Sequence, residues 1–177
     1  FPDPGGTYAT GSLIHHWVDE SRDEWFTPEN SDDKRQFMLQ IWYPGISQDG
    51  TDKLPFLDHL KTRVKTIAAA GSFPSFLAMH LDLIKTNSSL NLAPESSAGP
   101  MPILIISHGI TGMRQLHTSI AEKYASNGYA VFALDHSYDA NISVFPDGSI
   151  ADYRSEITGD PDSINIRKRQ MDTRVSD

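Results

Sequence analysis

The sequence predicts an α/β domain: an antiparallel strand pair leading into a parallel sheet flanked by helices. Three observations predict it. Two early segments rich in β-branched and aromatic residues, 7–18 and 37–43, are joined by a polar loop. Two short, continuous apolar runs, 101–106 and 129–134, have the look of strands buried on both faces. Between those runs lies one amphipathic segment, and strand, helix and strand in that order make a βαβ unit and a parallel sheet.

Taken in order, Thr7 to Val18 forms the first strand, with a bend expected at Gly11. Asp19 to Arg35 is polar loop, with Thr27-Pro28 and Asn30 to Asp33 as turn material. Phe37 to Tyr43 follows as the second strand and stops at Pro44-Gly45. Residues 55–98 read as a helical insertion and linker. Leu57, Leu60, Val64 and Ile67 recur at spacings of three and four, the mark of one helical face. Ser72 is placed to cap a second helix, Ser75 to Lys85, and Asn87 to Pro100 is a Ser/Asn/Pro/Gly linker. Gln115 to Asn127 forms a helix whose Leu116, Ile120 and Tyr124 share a face, closed by Asn127-Gly128. A last helix, Ser163 to Val175, aligns Ile164, Met171 and Val175.

Composition narrows the function. The chain has 177 residues, 38% hydrophobic and 21% charged, which suits one globular domain with a real core. A net charge of −8 leaves no basic footprint for nucleic acid, and Arg167 to Arg169, followed by Asp172 and Asp177, reads as a solvated helix face. With no cysteine there is no disulfide, thiol nucleophile or thiolate zinc site. The seven histidines lack metal-ligand spacing, so no metal and no cofactor are expected. No run is long and apolar enough to span a bilayer.

The chemistry concentrates at His108-Gly109-Ile110-Thr111-Gly112, delivered by the apolar run before it. Acyl transfer builds negative charge on the former carbonyl oxygen, and backbone N–H groups aimed at that oxygen stabilise it. Glycines let the main chain approach closely. In α/β hydrolases one such N–H comes from this βα loop and the other from the residue after the nucleophile. Ile110 is the expected donor, Gly109 and Gly112 shape the loop, and His108 braces it by side-chain hydrogen bonds rather than acting as a base. Asp135-His136, at the end of the next strand, sends its side chains to opposite sides and reads as structural support near the site.

Ile105 to Arg114, with its Ser-His-Gly-x-x-x-x-Arg pattern, resembles the oxyanion region of the platelet-activating factor acetylhydrolases, which include lipoprotein-associated phospholipases and bacterial relatives. Ala121 to Gly128, Tyr129 to His136, Phe37 to Pro44 and Ile166 to Asp177 are similar to further segments of that family, so the likeness runs from about residue 35 and is weakest over 45–98. The resemblance implies an α/β-hydrolase fold and a calcium-independent serine esterase that removes short or oxidised acyl chains from phospholipid-like substrates. It also implies an extracellular or periplasmic setting, and Ile110 matches the family's oxyanion position. Related lipases dock on lipid through apolar helices, which singles out Phe73 and Phe76 here.

One departure stands out. The sequence contains no Gly-x-Ser-x-Gly elbow: Ser12 follows Gly11 directly, and Ser149 sits in a Pro-Asp-Gly-Ser turn. In this fold the serine precedes the acid and the histidine, so all three are expected beyond Asp177. The chain then reads as the N-terminal part of one hydrolase domain, partnered by the C-terminal half. The alternatives are a general carboxylesterase, polyester hydrolase or dienelactone-hydrolase-like enzyme, or a non-catalytic binding or assembly fragment.

Overall fold

A computed structural model describes residues 1–177. Two long strands, β1 (Ala9–Asp23) and β2 (Lys34–Gly45), form the predicted antiparallel pair, in register from Ala9↔Gly45 to Asp19↔Arg35. The first strand runs five residues past Val18, and Gly11 does not bend it. A Cβ there would meet the Tyr43 ring at 2.6 Å; the glycine lets that ring lie across the strand so that Tyr43 Oη donates to the Leu92 carbonyl at 2.8 Å.

The insertion is not simply helical. β3 (Lys53–Pro55) and β4 (Lys85–Leu90) add to the sheet at β1, so the segment from Asn87 is partly strand rather than linker. Between them, α1 (Leu60–Gly71) buries Leu60 and Val64 of the expected stripe, with Leu57 buried just before it; Ile67 is only partly buried, and Ala68 is buried beside it. The second helix is shorter than expected: α2 (Ser75–Ala78) gives way to a 3₁₀ turn over 79–83. Ser72 ends α1 in a left-handed conformation (φ 54) instead of capping α2.

β5 (Ile103–Ser107) and β6 (Ala130–Asp135) pair in parallel, connected through α3 (Thr118–Ala125). With β6 antiparallel to β2, the six-stranded order is β3-β4-β1-β2-β6-β5. A hairpin, β7 (Ile142–Val144) and β8 (Ile150–Asp152), and the helix α4 (Ser163–Ser176) complete the chain.

The two sheet faces are covered unequally. On one, Trp42 is fully buried among Ala121 and Ala125 of α3 and Val131 and Ala133 of β6, with Leu104 and Ile106 alongside. On the other, Phe37, Leu39, Phe132 and Leu134 line an open groove of about 430 Å³, flanked by Arg174, Val175 and Ser176 of α4 and by Asp177 just after it. β5 is therefore not buried on both faces: it is an edge strand, and Ile105 remains 69% exposed. Two helical stripes also differ from expectation. Leu116, Ile120 and Tyr124 face outward, because α3 meets the sheet through its small residues Ala121 and Ala125. Ile164, Met171 and Val175 of α4 are exposed as well, and the helix buries Gln170 instead.

Candidate active site

The loop after β5 holds the predicted residues together. His108 is buried, its Nδ1 lies 2.6 Å from the Gly109 carbonyl, and its Nε2 accepts the His136 backbone N–H at 3.0 Å. An acceptor at Nε2 assigns the ring proton to Nδ1. Burial pushes the His108 imidazole down to about 4, against the contrary pull of the Gly109 bond and of Asp135. The ring thus links the loop's own Gly109 carbonyl to the backbone just after β6.

Glycine does not carry the loop's unusual dihedral. Thr111, a β-branched residue, takes φ 58, a left-handed conformation that costs about 1–3 kcal/mol. Gly112 serves close approach instead: a Cβ there would sit 3.0 Å from both the Gly109 carbonyl oxygen and His108 Cβ, whereas one on Gly109 would meet nothing, so no steric need for a glycine is seen at 109. Thr111 N–H donates to the Asp139 carbonyl at 3.2 Å and Gly112 N–H to the Gly109 carbonyl at 2.9 Å. The N–H groups of Gly109 and Ile110 meet no acceptor in the chain, and Ile110 is half exposed.

Asp135 and His136 diverge as expected, each into its own polar network. Asp135 accepts the Arg114 backbone N–H at 2.6 Å and pairs with the Arg114 guanidinium, which also binds Asp58. Arg63, on α1, reaches Asp58 Oδ1 at 2.9 Å and the Ile142 carbonyl at 2.6 Å. Burial works against the Asp58 charge, yet the Arg114 and Arg63 guanidiniums hold its carboxyl below the usual carboxylate range. The insertion is thus tied to the end of the loop through buried ion pairs.

On the other side, His136 Nδ1 is 2.9 Å from Asp177 Oδ2, and His136 Nε2 is 2.9 Å from Ser107 Oγ. Asp177 is not on a solvated face: its side chain is buried, bound by Arg35 at 2.5 Å and Arg22 at 3.1 Å. Burial opposes its ionisation, but the hydrogen bonds from His136 and Arg35 outweigh that and hold the carboxyl far below its ordinary range. This Ser–His–Asp line opens on the groove, whose lining includes Ser107, His136 and Asp177. Sequence reading missed it, because its members lie 29 and 41 residues apart and no spacing signals the contact.

These buried groups make the fold acid-sensitive. The folded pKa of His108 lies below its value in the unfolded chain, so unfolded molecules bind the proton more readily as pH falls. Stability present above pH 6.5 is lost towards pH 4, by about 3 kcal/mol for a shift of this size. The depressed Asp177 carboxyl extends the loss below pH 4. Urea unfolding midpoints measured from pH 7 to pH 4 should fall steadily; a flat series would contradict the assignment.

The remaining predicted residues sit elsewhere. Phe73 and Phe76 lie in the insertion, Phe76 being 64% exposed, with Leu77, Met79 and Leu83 also exposed nearby in sequence. They do not line the groove beside Ser107.

Known proteins resemble this chain over most of its length. The family model described as "Platelet-activating factor acetylhydrolase, isoform II" matches residues 26–176. Platelet-activating factor acetylhydrolase of Canis lupus familiaris is 24% identical over 151 residues, covering 78% of this chain and 34% of that protein. Its counterpart from Cavia porcellus is 26% identical over 109 residues, 60% of this chain and 25% of that protein. The chain thus spans between a quarter and a third of the length of these curated relatives. Among solved structures, a ferulic acid esterase from Streptomyces cinnamoneus superposes with a TM-score of 0.74 at 27% identity, covering 98% of this chain and 47% of the esterase chain.

Proposed function

Because this chain belongs to the platelet-activating factor acetylhydrolase family, we propose that it is the oxyanion-loop portion of a serine-dependent carboxylic ester hydrolase acting on short-chain, phospholipid-like acyl esters. A serine outside residues 1–177 attacks the acyl carbon. A histidine takes its proton and returns it to the leaving alcohol, and an acidic residue orients that histidine. The Ile110 N–H stabilises the oxyanion. The observation that carries the reading is the division of labour in the loop: Thr111 and Gly112 N–H groups are engaged internally, and those of Gly109 and Ile110 are free.

The rest of the domain is the proposed partner. Exposed Ile103 and Ile105 on the edge strand β5, with Leu116 in the 3₁₀ turn before α3 and Ile120 and Tyr124 on α3, supply an apolar surface for it to cover. Such an edge left bare is an aggregation site. The proposal includes an extracellular or periplasmic location; no helix is long and apolar enough to cross a membrane.

Substrate choice is open to direct comparison. Turnover of acetyl phospholipid above that of p-nitrophenyl esters and polyester film supports the acetylhydrolase reading; the reverse order favours a general carboxylesterase or polyester hydrolase. For the lipid-contact proposal, replacing Phe73 and Phe76 by Ser should weaken vesicle binding severalfold while soluble-ester turnover is spared. Unchanged vesicle binding would end that part of the reading.

A second reading rests on the Ser107–His136–Asp177 line. With Nδ1–H donated to Asp177, His136 Nε2 can accept the Ser107 hydroxyl proton, which is the geometry of an activated serine. Against it, Arg35 and Arg22 share the Asp177 carboxylate and reduce its support for an imidazolium. The first reading is therefore preferred.

A further inference from the structure

The oxyanion loop carries strain at Thr111, and a strained residue persists only where its surroundings over-determine it. The contacts that do so converge on one side chain. Arg174, in the last turn of α4, donates from Nη1 to the His108 carbonyl at 2.7 Å, and its Nε pairs with the Asp139 carboxylate. The carbonyl of that same Asp139 accepts the Thr111 N–H at 3.2 Å, and Asn141, two residues on, donates its N–H to the Gly112 carbonyl at 2.9 Å. A single guanidinium, on a side chain 12% exposed, therefore joins the start of the loop to the segment that pins its strained middle. Three residues further along, Asp177 binds His136, whose backbone N–H holds His108 Nε2.

We propose that Arg174 is a positioning residue for the esterase reaction, fixing the loop so that the Ile110 N–H points where the oxyanion forms. It acts through His108 and Asp139 and touches no reacting atom. The inference rests on the oxyanion reading above and adds a residue 64 positions from Ile110 in the sequence. Its physical basis is that without the guanidinium the His108 carbonyl and the Asp139 carboxylate lose their partner, and Thr111 can relax. A donor displaced by about 1 Å can lower catalysis by about a hundredfold.

The test uses the complete native esterase, with active sites titrated by a fluorophosphonate so that rates refer to folded, competent molecules. Arg174→Ala should lower kcat per titrated site at least tenfold, with KM for a short p-nitrophenyl ester within about twofold, and added guanidinium ion should restore part of kcat. Arg174→Lys keeps the charge but reaches only one of the two acceptors; it should show a smaller loss with the same split, and it serves where the alanine variant fails to fold. A merely structural role would lower Tm and the number of titrated sites but leave kcat per site unchanged, and that result overturns the proposal. Ile110→Pro separates the two levels. If it loses kcat while the Arg174 variants do not, the positioning role fails and the oxyanion reading stands. If Ile110→Pro keeps full kcat, the oxyanion reading falls and this inference falls with it.

Discussion

Replacing Ile110 by Pro in the complete enzyme should lower kcat by about 10²–10³, the loss seen when one oxyanion donor is removed. Proline deletes the N–H and little else: the Ile110 side chain is half exposed and its N–H supports no bond within the chain. The substitution also pushes Gly109 towards extended backbone, a restriction that glycine tolerates well. KM should change little, because the interaction strengthens only as charge develops on the oxygen. Gly109→Ala is the matched control, since its Cβ meets nothing in the chain. Equal losses in the two variants would point to general disturbance of the loop and not to the N–H.

Arg114→Ala should give the largest loss of stability, about 3–5 kcal/mol, read as a fall in the urea midpoint or Tm at neutral pH. The guanidinium is fully buried between Asp135 and Asp58, and its backbone N–H also donates to Asp135. Removing the side chain leaves Asp135, with no exposed side-chain surface, only the backbone N–H of residue 114 and the Arg63 guanidinium at 3.7 Å. A buried carboxylate without a close counter-charge must stay charged at high cost or take up a proton. The stability of the variant should therefore recover relative to the parent as pH falls. A loss below 1 kcal/mol would mean that Arg63 alone neutralises both carboxylates.

Much of the site was legible before any coordinates. The apolar run before His108, the helix and the second apolar run place the loop between β5 and α3, because strands of a βαβ unit read as continuous apolar runs even where, as at β5, one face is left open. The divergence of Asp135 and His136 follows from strand alternation. What escaped depends on contacts between distant segments. β4 reads Lys-Thr-Asn-Ser-Ser-Leu, with no apolar pattern, and is held in the fold by Ser88 Oγ and Asn87 N–H donating to the buried Glu122. Arg174 and Asp177 look like ordinary helix-surface charges until Asp139, His108 and His136 are brought beside them. The periodic stripes on α3 and α4 are real in the sequence, yet they point away from the sheet of this chain. On the proposed reading they are the faces that the rest of the domain covers.

The central claim is that residues 1–177 supply the oxyanion loop to a nucleophile located outside them. It is tested most directly by treating the native protein with a fluorophosphonate probe, measuring its intact mass under denaturing conditions and mapping the labelled serine after trypsin. Ser107 falls in the tryptic peptide 86–114, between Lys85 and Arg114. The account predicts that this peptide stays unlabelled and that the probe sits on a serine beyond Asp177. A label on peptide 86–114, lost in Ser107→Ala, would contradict it and make the Ser107–His136–Asp177 line the working site.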